Sequence, residues 1–130
     1  MTNDDLTLVL GASPNPERYA YKAVERLRAA GRAVVALGAR QGRIADVPIL
    51  TDPGLVPKPV HTVSLYLGPE NQARFYDWIL KLRPRRVIFN PGTENPPFER
   101  TLKEHGVNVQ HACTLVMLST GTFDRLPDND

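Results

Sequence analysis

Leu6-Thr-Leu-Val-Leu-Gly-Ala-Ser-Pro-Asn-Pro-Glu-Arg18 decides the fold. An apolar run of strand length stops at Gly11, small residues follow, and a helix begins. A glycine at a strand tip lets another group come close to the backbone. Asn15 is placed to cap the helix, Pro16 suits its first position, and Glu17 suits the positive end of its dipole. A helix N-terminus aimed at a strand tip is a ready anion site. The stretch therefore reads as a strand–loop–helix unit for a phosphate-bearing ligand, or as a loop that only joins two elements.

The pattern downstream supports a repeated α/β unit. From about Glu17 to Ala30, Ala20, Ala23, Val24 and Leu27 recur at helical spacing on one face, and Gly31 ends the helix. Arg32 to Leu37 reads as a second strand buried on both sides, so strand, helix and strand make a βαβ unit. The 38–43 loop is rich in glycine and arginine. Val47-Pro-Ile-Leu50 is a third strand, residues 51–57 a single capped turn, and residues 62–67 a fourth strand. Gly68-Pro69 opens a helix over 70–82 with Phe75, Trp78, Ile79 and Leu82 on one stripe. Tyr76 and Leu80 add a second apolar side, which suits either core packing or a second copy of the chain in a homodimer. Residues 86–90 are a fifth strand, Asn95 caps a helix running to His105, and residues 107–109 are a last short strand. Residues 114–119 fit a short helix, and the tail from Leu126 to Asp130 is expected to fray. Twelve prolines fall mostly between these segments, where a residue without an N–H does least harm.

The expectation is one domain over residues 1–130, an α/β chain with an open, mostly parallel sheet of five to six strands and helices on both faces. In such sheets ligands bind beyond the carboxyl ends of the strands, where strand order reverses. The candidate loops are Gly11-Ala12-Ser13, Gly38 to Arg40, Tyr66 to Pro69 and Asn90 to Thr93, with Asn15 and Arg18 at the helix start beside the first.

Composition narrows the partners. A net charge of +2 with dispersed basic residues gives no nucleic-acid surface. No apolar run is long enough to cross a bilayer. Cys113 is the single cysteine, so no disulfide can form within the chain. Residues 1–5 are acidic and lack the parts of a secretory leader, and the expected location is cytoplasmic.

The ligand reads as a nucleotide-bearing small molecule. NAD would call for G-x-G-x-x-G after the first strand and an acid after the second; here stand one glycine and Gly38-Ala39-Arg40. Arg40, with Arg43 nearby, suits a ribose phosphate, carried by NADP and by coenzyme A, unless both arginines are simply solvated. For catalysis the histidines are His61, His105 and His111, and no metal-ligand spacing occurs. His111 and Cys113, two apart, would share a side in an extended segment and could pair. Glu94 and Glu99 sit where acids cap a helix.

Val9-Leu-Gly-Ala-Ser-Pro14, Tyr19-Ala-Tyr21, residues 27–31, Val47-Pro-Ile-Leu50, Asn90-Pro-Gly-Thr93 and the late Cys113 together resemble the CoA-binding domain family. These are Rossmann-like domains similar to the CoA-binding region of the succinyl-CoA synthetase alpha subunit. The resemblance covers about Leu6 to Cys113. It implies a three-layer Rossmann-like fold and coenzyme A or acyl-CoA as ligand; since no acid–base pair or metal motif stands out, the expectation is a non-catalytic binding protein, a sensor or regulatory module. It also implies contacts: Gly11, Ala12 and Ser13 with the phosphates, Leu37, Gly38 and Arg40 beside the ribose, Tyr66 and Leu67 beside adenine, and Asn90, Pro91 and Gly92 toward pantetheine. Where the family often has arginine after the fourth strand and Gln after the fifth, this chain has Tyr66-Leu-Gly-Pro69 and Asn90. A small NADP-dependent reductase and an interaction module with a vacant nucleotide site are the alternatives.

Overall fold

The computed structural model describes residues 5–126. The acidic start and the expected fraying tail lie largely outside them. The chain runs β1 (Thr7–Ala12), α1 (Tyr19–Ala29), β2 (Val34–Gly38), β3 (Gly42–Ile44), β4 (Val47–Leu50), β5 (Thr62–Leu65), α2 (Pro69–Gln72), α3 (Tyr76–Leu82), β6 (Arg86–Phe89), α4 (Pro96–Glu104), β7 (Asn108–His111) and α5 (Thr114–Thr120). The sheet order is β3-β4-β2-β1-β5-β6-β7, parallel except for the β3–β4 pair. The chain steps outward from β1 first through β2 and β4, then through β5, β6 and β7. The reversal of strand order therefore lies at β1 and β5.

Each strand buries alternate residues on opposite faces. Leu8, Leu10, Leu37, Leu65 and Phe89 pack under Ile79 and Leu82 of α3 and under Phe98 and Leu102 of α4. Val9, Ala36, Ile49 and Ile88 pack under Ala20, Val24 and Leu27 of α1 and under Met117 of α5. The result is three layers, a Rossmann-like α/β fold with seven strands where five to six were expected.

The extra strand is β3. It closes a hairpin on β4 across Ala45-Asp46, with Ile44 opposite Val47. The turn needs a left-handed residue and uses Ala45, at φ 53°. Glycine is the usual occupant, so no turn signal marks the hairpin in the sequence. Ala45→Gly is expected to raise stability by about 1 kcal/mol, because alanine pays a steric penalty in that region. Urea unfolding checks it, as a higher midpoint at unchanged slope.

Helix ends follow the residues foreseen more closely than the starts. Gly31 lies at φ 76°; Arg32 N–H donates to the Leu27 carbonyl and Gly31 N–H to that of Arg28. Gly106 repeats this with Val107 N–H on Leu102 and its own N–H on Lys103. Both are the glycine-terminated helix end in which the carbonyls of the last turn are satisfied. Asp52 caps the single turn Pro53–Leu55, and Asn95 caps α4 while Glu99 returns a bond to Asn95 N–H. The start of α1 is a correction. Asn15 accepts from Glu17 N–H in a local turn, and the helix begins at Tyr19 with Arg18 in the cap position and no side-chain cap. The foreseen 70–82 helix is also interrupted, by a 3-10 turn over Ala73–Phe75. Its second apolar side is used within the chain: Tyr76 stacks on Phe98 at 4.2 Å.

Candidate functional site

The carboxyl tips of β1, β2, β4, β5 and β6 carry two cavities, one on each side of a ridge. The ridge is the contact between Gly11 and Tyr66. Gly11 lies at φ 97°, and a side chain there would meet the Tyr66 backbone at 3.0 Å and Leu67 at 3.2 Å. The close neighbour that the missing side chain admits is thus the chain's own next strand. Gly38 does the same for β2: a Cβ would lie 2.1 Å from the Ala12 carbonyl oxygen.

The larger cavity, about 370 Å³, opens on the α2–α3 side. Leu10 and Gly11 come from β1, Leu37, Gly38 and Ala39 from the end of β2, and Thr51 and Pro53 from the turn after β4. Arg74, Phe75 and Trp78 form the opposite wall, with the Arg74 guanidinium 4.9 Å from the Phe75 ring centre and the Phe75 and Trp78 rings edge to face. It is an apolar slot with one cation, the kind of lining that receives a flat heteroaromatic group.

The smaller cavity, about 220 Å³, lies at the start of α1. Arg18, Tyr19 and Ala20 meet Tyr66 and Gly68 after β5 and Pro91, Gly92 and Thr93 after β6. The first turn of α1 holds no acidic residue and no capping side chain. Its leading N–H groups and the Arg18 charge therefore make a positive mouth of the type that takes phosphate. The Tyr66 hydroxyl is buried beside the Ser64 and Thr114 hydroxyls, which bond each other at 2.8 Å, and makes no hydrogen bond of proper geometry among the described residues. Burial pushes this phenol up to about 12, so it is a neutral donor at physiological pH.

Buried amides fix the loops around both cavities. Asn90 is fully buried; its Nδ2 donates to Ser64 Oγ at 3.0 Å and the Leu65 carbonyl at 2.9 Å, and its Oδ1 accepts from Thr114 N–H at 2.8 Å. Gln72 Nε2 donates to the Leu67 and Thr93 carbonyls, while its Oε1 accepts from Asn95. Asn90 thus ties the tips of β5 and β6 to α5, and Gln72 ties the β5 and β6 loops to α4. A buried amide with every partner in place holds its neighbours in one arrangement.

Of the residues picked from the sequence, Gly11, Leu37 and Gly38 line the larger cavity, and Arg18, Tyr66, Pro91 and Gly92 line the smaller. Leu67 sits on the ridge between them. Ala12 is buried beside Gly38. Ser13 and Asn15 bond each other in the loop, Asn15 N–H donating to Ser13 Oγ. Arg40 is exposed and lines neither cavity, and Arg43 points a guanidinium at the Asp46 carbonyl at 3.5 Å. The Asn90 side chain is engaged wholly by the protein. His111 does not pair with Cys113 but bonds Glu99. Thr51, Pro53, Arg74, Phe75 and Trp78 were missed as cavity residues. The turn after β4 is a strand-tip loop like the others, and Phe75 and Trp78 stood on a stripe that core packing alone also explains.

A model of a CoA binding domain family matches residues 6–119. No curated protein matches the chain. A crystal structure of an uncharacterized protein is 47% identical with a TM-score of 0.87, over 92% of this chain and 98% of that one. The cell-free ID.343 structure from Thermus thermophilus is 25% identical with a TM-score of 0.81, over 92% and 90% of the two chains. The dinucleotide forming acetyl-coenzyme A synthetase 1 of Ca. Korarchaeum cryptofilum, in complex with phosphate and ADP, shares the fold at 17% identity and a TM-score of 0.68, over 85% of this chain and 26% of that one. Among the described residues no helix is long and apolar enough to cross a membrane.

Proposed function

The chain belongs to the CoA binding domain family, and from that premise we propose that it is a single-domain, non-catalytic module that binds coenzyme A or acyl-CoA. The observation that carries this reading is the pair of cavities at the reversal of strand order, one apolar and one positive. Adenine suits the slot between Leu37 and the Phe75–Trp78 wall, where burial and ring contact both favour it. The diphosphate suits the uncapped start of α1 with Arg18. Arg74, already on the slot wall, supplies the countercharge for the ribose phosphate in preference to Arg40. When bound, the ligand brings a thiol or thioester; this chain's residues hold and orient its nucleotide end.

The reading as a binding module rests on the cavity linings: among the described residues neither holds a histidine, cysteine or carboxylate, and the Asn90 amide behind them is spent on Ser64, Leu65 and Thr114. A sensing or regulatory role in the cytoplasm fits a small module with one cysteine.

Calorimetry with CoA, dephospho-CoA, NADP and NAD tests the reading. CoA is expected to bind about tenfold tighter than dephospho-CoA, the worth of one charge-assisted contact, and Arg74→Gln is expected to erase that difference. Erasure by Arg40→Gln instead would move the phosphate to the β2 loop. No binding of any of the four would remove the nucleotide function.

A further inference from the structure

A third cavity, of about 380 Å³, lies at the other end of the sheet. Thr7, Thr62 and Arg86, the first residues of β1, β5 and β6, line it together with Arg32, His61 and Phe123. Arg86 is only 1% exposed, yet every acceptor it touches is neutral: Thr62 Oγ1 at 2.9 Å, Gln110 Oε1 at 3.0 Å and the Arg125 carbonyl at 3.2 Å. These take Nε and Nη1; Nη2 makes no hydrogen bond among the described residues. The Phe123 ring lies against both guanidiniums, 4.4 Å from Arg86 and 4.7 Å from Arg32. Arg32 forks onto Asp124 at 2.7 and 2.8 Å, and its buried Nε has no partner among the described residues.

A buried cation normally touches an anion, because desolvation is costly and neutral dipoles offset it only in part. Burial lowers the Arg86 guanidinium to about 10, which still leaves it charged at pH 7. Asp124 gives its hydrogen-bonding edge to Arg32, and only its charge reaches Arg86. Asp5 stands on the rim and forms no ion pair among the described residues. His61 bonds Thr62 through Nδ1 and is held below its usual range by burial and by Arg86 and Arg85, so it adds a neutral ring. The cavity thus holds two arginines, two hydroxyls and two carboxylates, Asp124 engaged by Arg32 and Asp5 on the rim within electrostatic reach of Arg32 and His61.

We propose that this cavity binds a small oxyanion of the phosphate or sulfate type, held by the open edge of Arg86, by Arg32 and by the Thr7 hydroxyl. The site is separate from the nucleotide crevice and does not depend on it. The Asp124 carboxylate competes for Arg32, so the segment carrying Phe123 and Asp124 responds when the anion arrives.

The test is a titration of the protein with inorganic phosphate, against chloride at equal ionic strength, followed residue by residue in NMR amide spectra. Saturable shifts are expected at Thr7, Thr62 and Phe123. Any response at Gly11 or Ser13 reports the nucleotide crevice and is read separately. Arg32→Gln is expected to weaken binding about tenfold, and Asp124→Asn to tighten it severalfold by removing the competitor. Arg86→Met risks the fold, so the test rests on the other two variants. Absence of saturation at the three reporters, or an affinity unchanged in Arg32→Gln, overturns the proposal.

Discussion

Gly38→Ala is expected to lower stability by about 3 kcal/mol, at the upper end of overpacking penalties, and the melting temperature by about 10 °C. The new methyl would sit 2.1 Å from the Ala12 carbonyl oxygen, 3.0 Å from its carbon and 3.3 Å from Ile49 Cγ2. Two of those atoms are backbone in the central strand pair, where Ala12 and Gly38 are register partners. The strain therefore cannot be relieved by a side-chain rotation; the tips of β1 and β2 must part. Because both tips line the larger cavity, CoA affinity should fall with stability, and by more than a tenfold loss in calorimetry of the folded fraction. Gly31→Ala is the contrast. Nothing lies within 4 Å of that position, so it strains only the left-handed backbone, at about 1 kcal/mol, and leaves binding intact.

Asn90→Leu is expected to cost about 3 kcal/mol, because three hydrogen bonds are lost together. The Leu65 carbonyl and the Thr114 N–H are left buried with no replacement. Asn90→Asp keeps the acceptor for Thr114 but loses the donor that Leu65 and Ser64 need, and it buries a charge; it should be at least as damaging. Denaturant unfolding measures both. If Asn90 instead contacted ligand and did little for the fold, Asn90→Leu would leave the midpoint unchanged and weaken only binding.

The sequence made the fold legible because its punctuation coincides with its periodicity. Apolar runs of strand length are separated by proline and glycine, and the glycines at 31 and 106 end helices as their positions suggest. What escaped had no local signal. The β3 hairpin turns on Ala45, a residue with no preference for its conformation, and the strand has a single buried position, Ile44. The start of α1 slipped because Asn15 has two uses for one carboxamide, and the chain takes the local turn.

The site was legible in outline and not in detail. Strand-tip logic points to Gly11, Gly38, Tyr66 and Gly92, and all four line cavities, because topology alone brings strand ends together. It could not tell a residue that faces the cavity from one that braces it, as with Asn90. Arg74 and Phe75 reach the slot from the 3-10 turn and Trp78 from α3, a tertiary fact with no counterpart in spacing.

Trp78 is the single tryptophan of the chain and stands on the slot wall, so its emission during a CoA titration reports directly on the site. A saturable change that fits one site, reproduced by dephospho-CoA at higher concentration and lost in Gly38→Ala, is the expected result. Emission that stays constant into the millimolar range, while the protein remains folded, would contradict a nucleotide seated between β2 and α3.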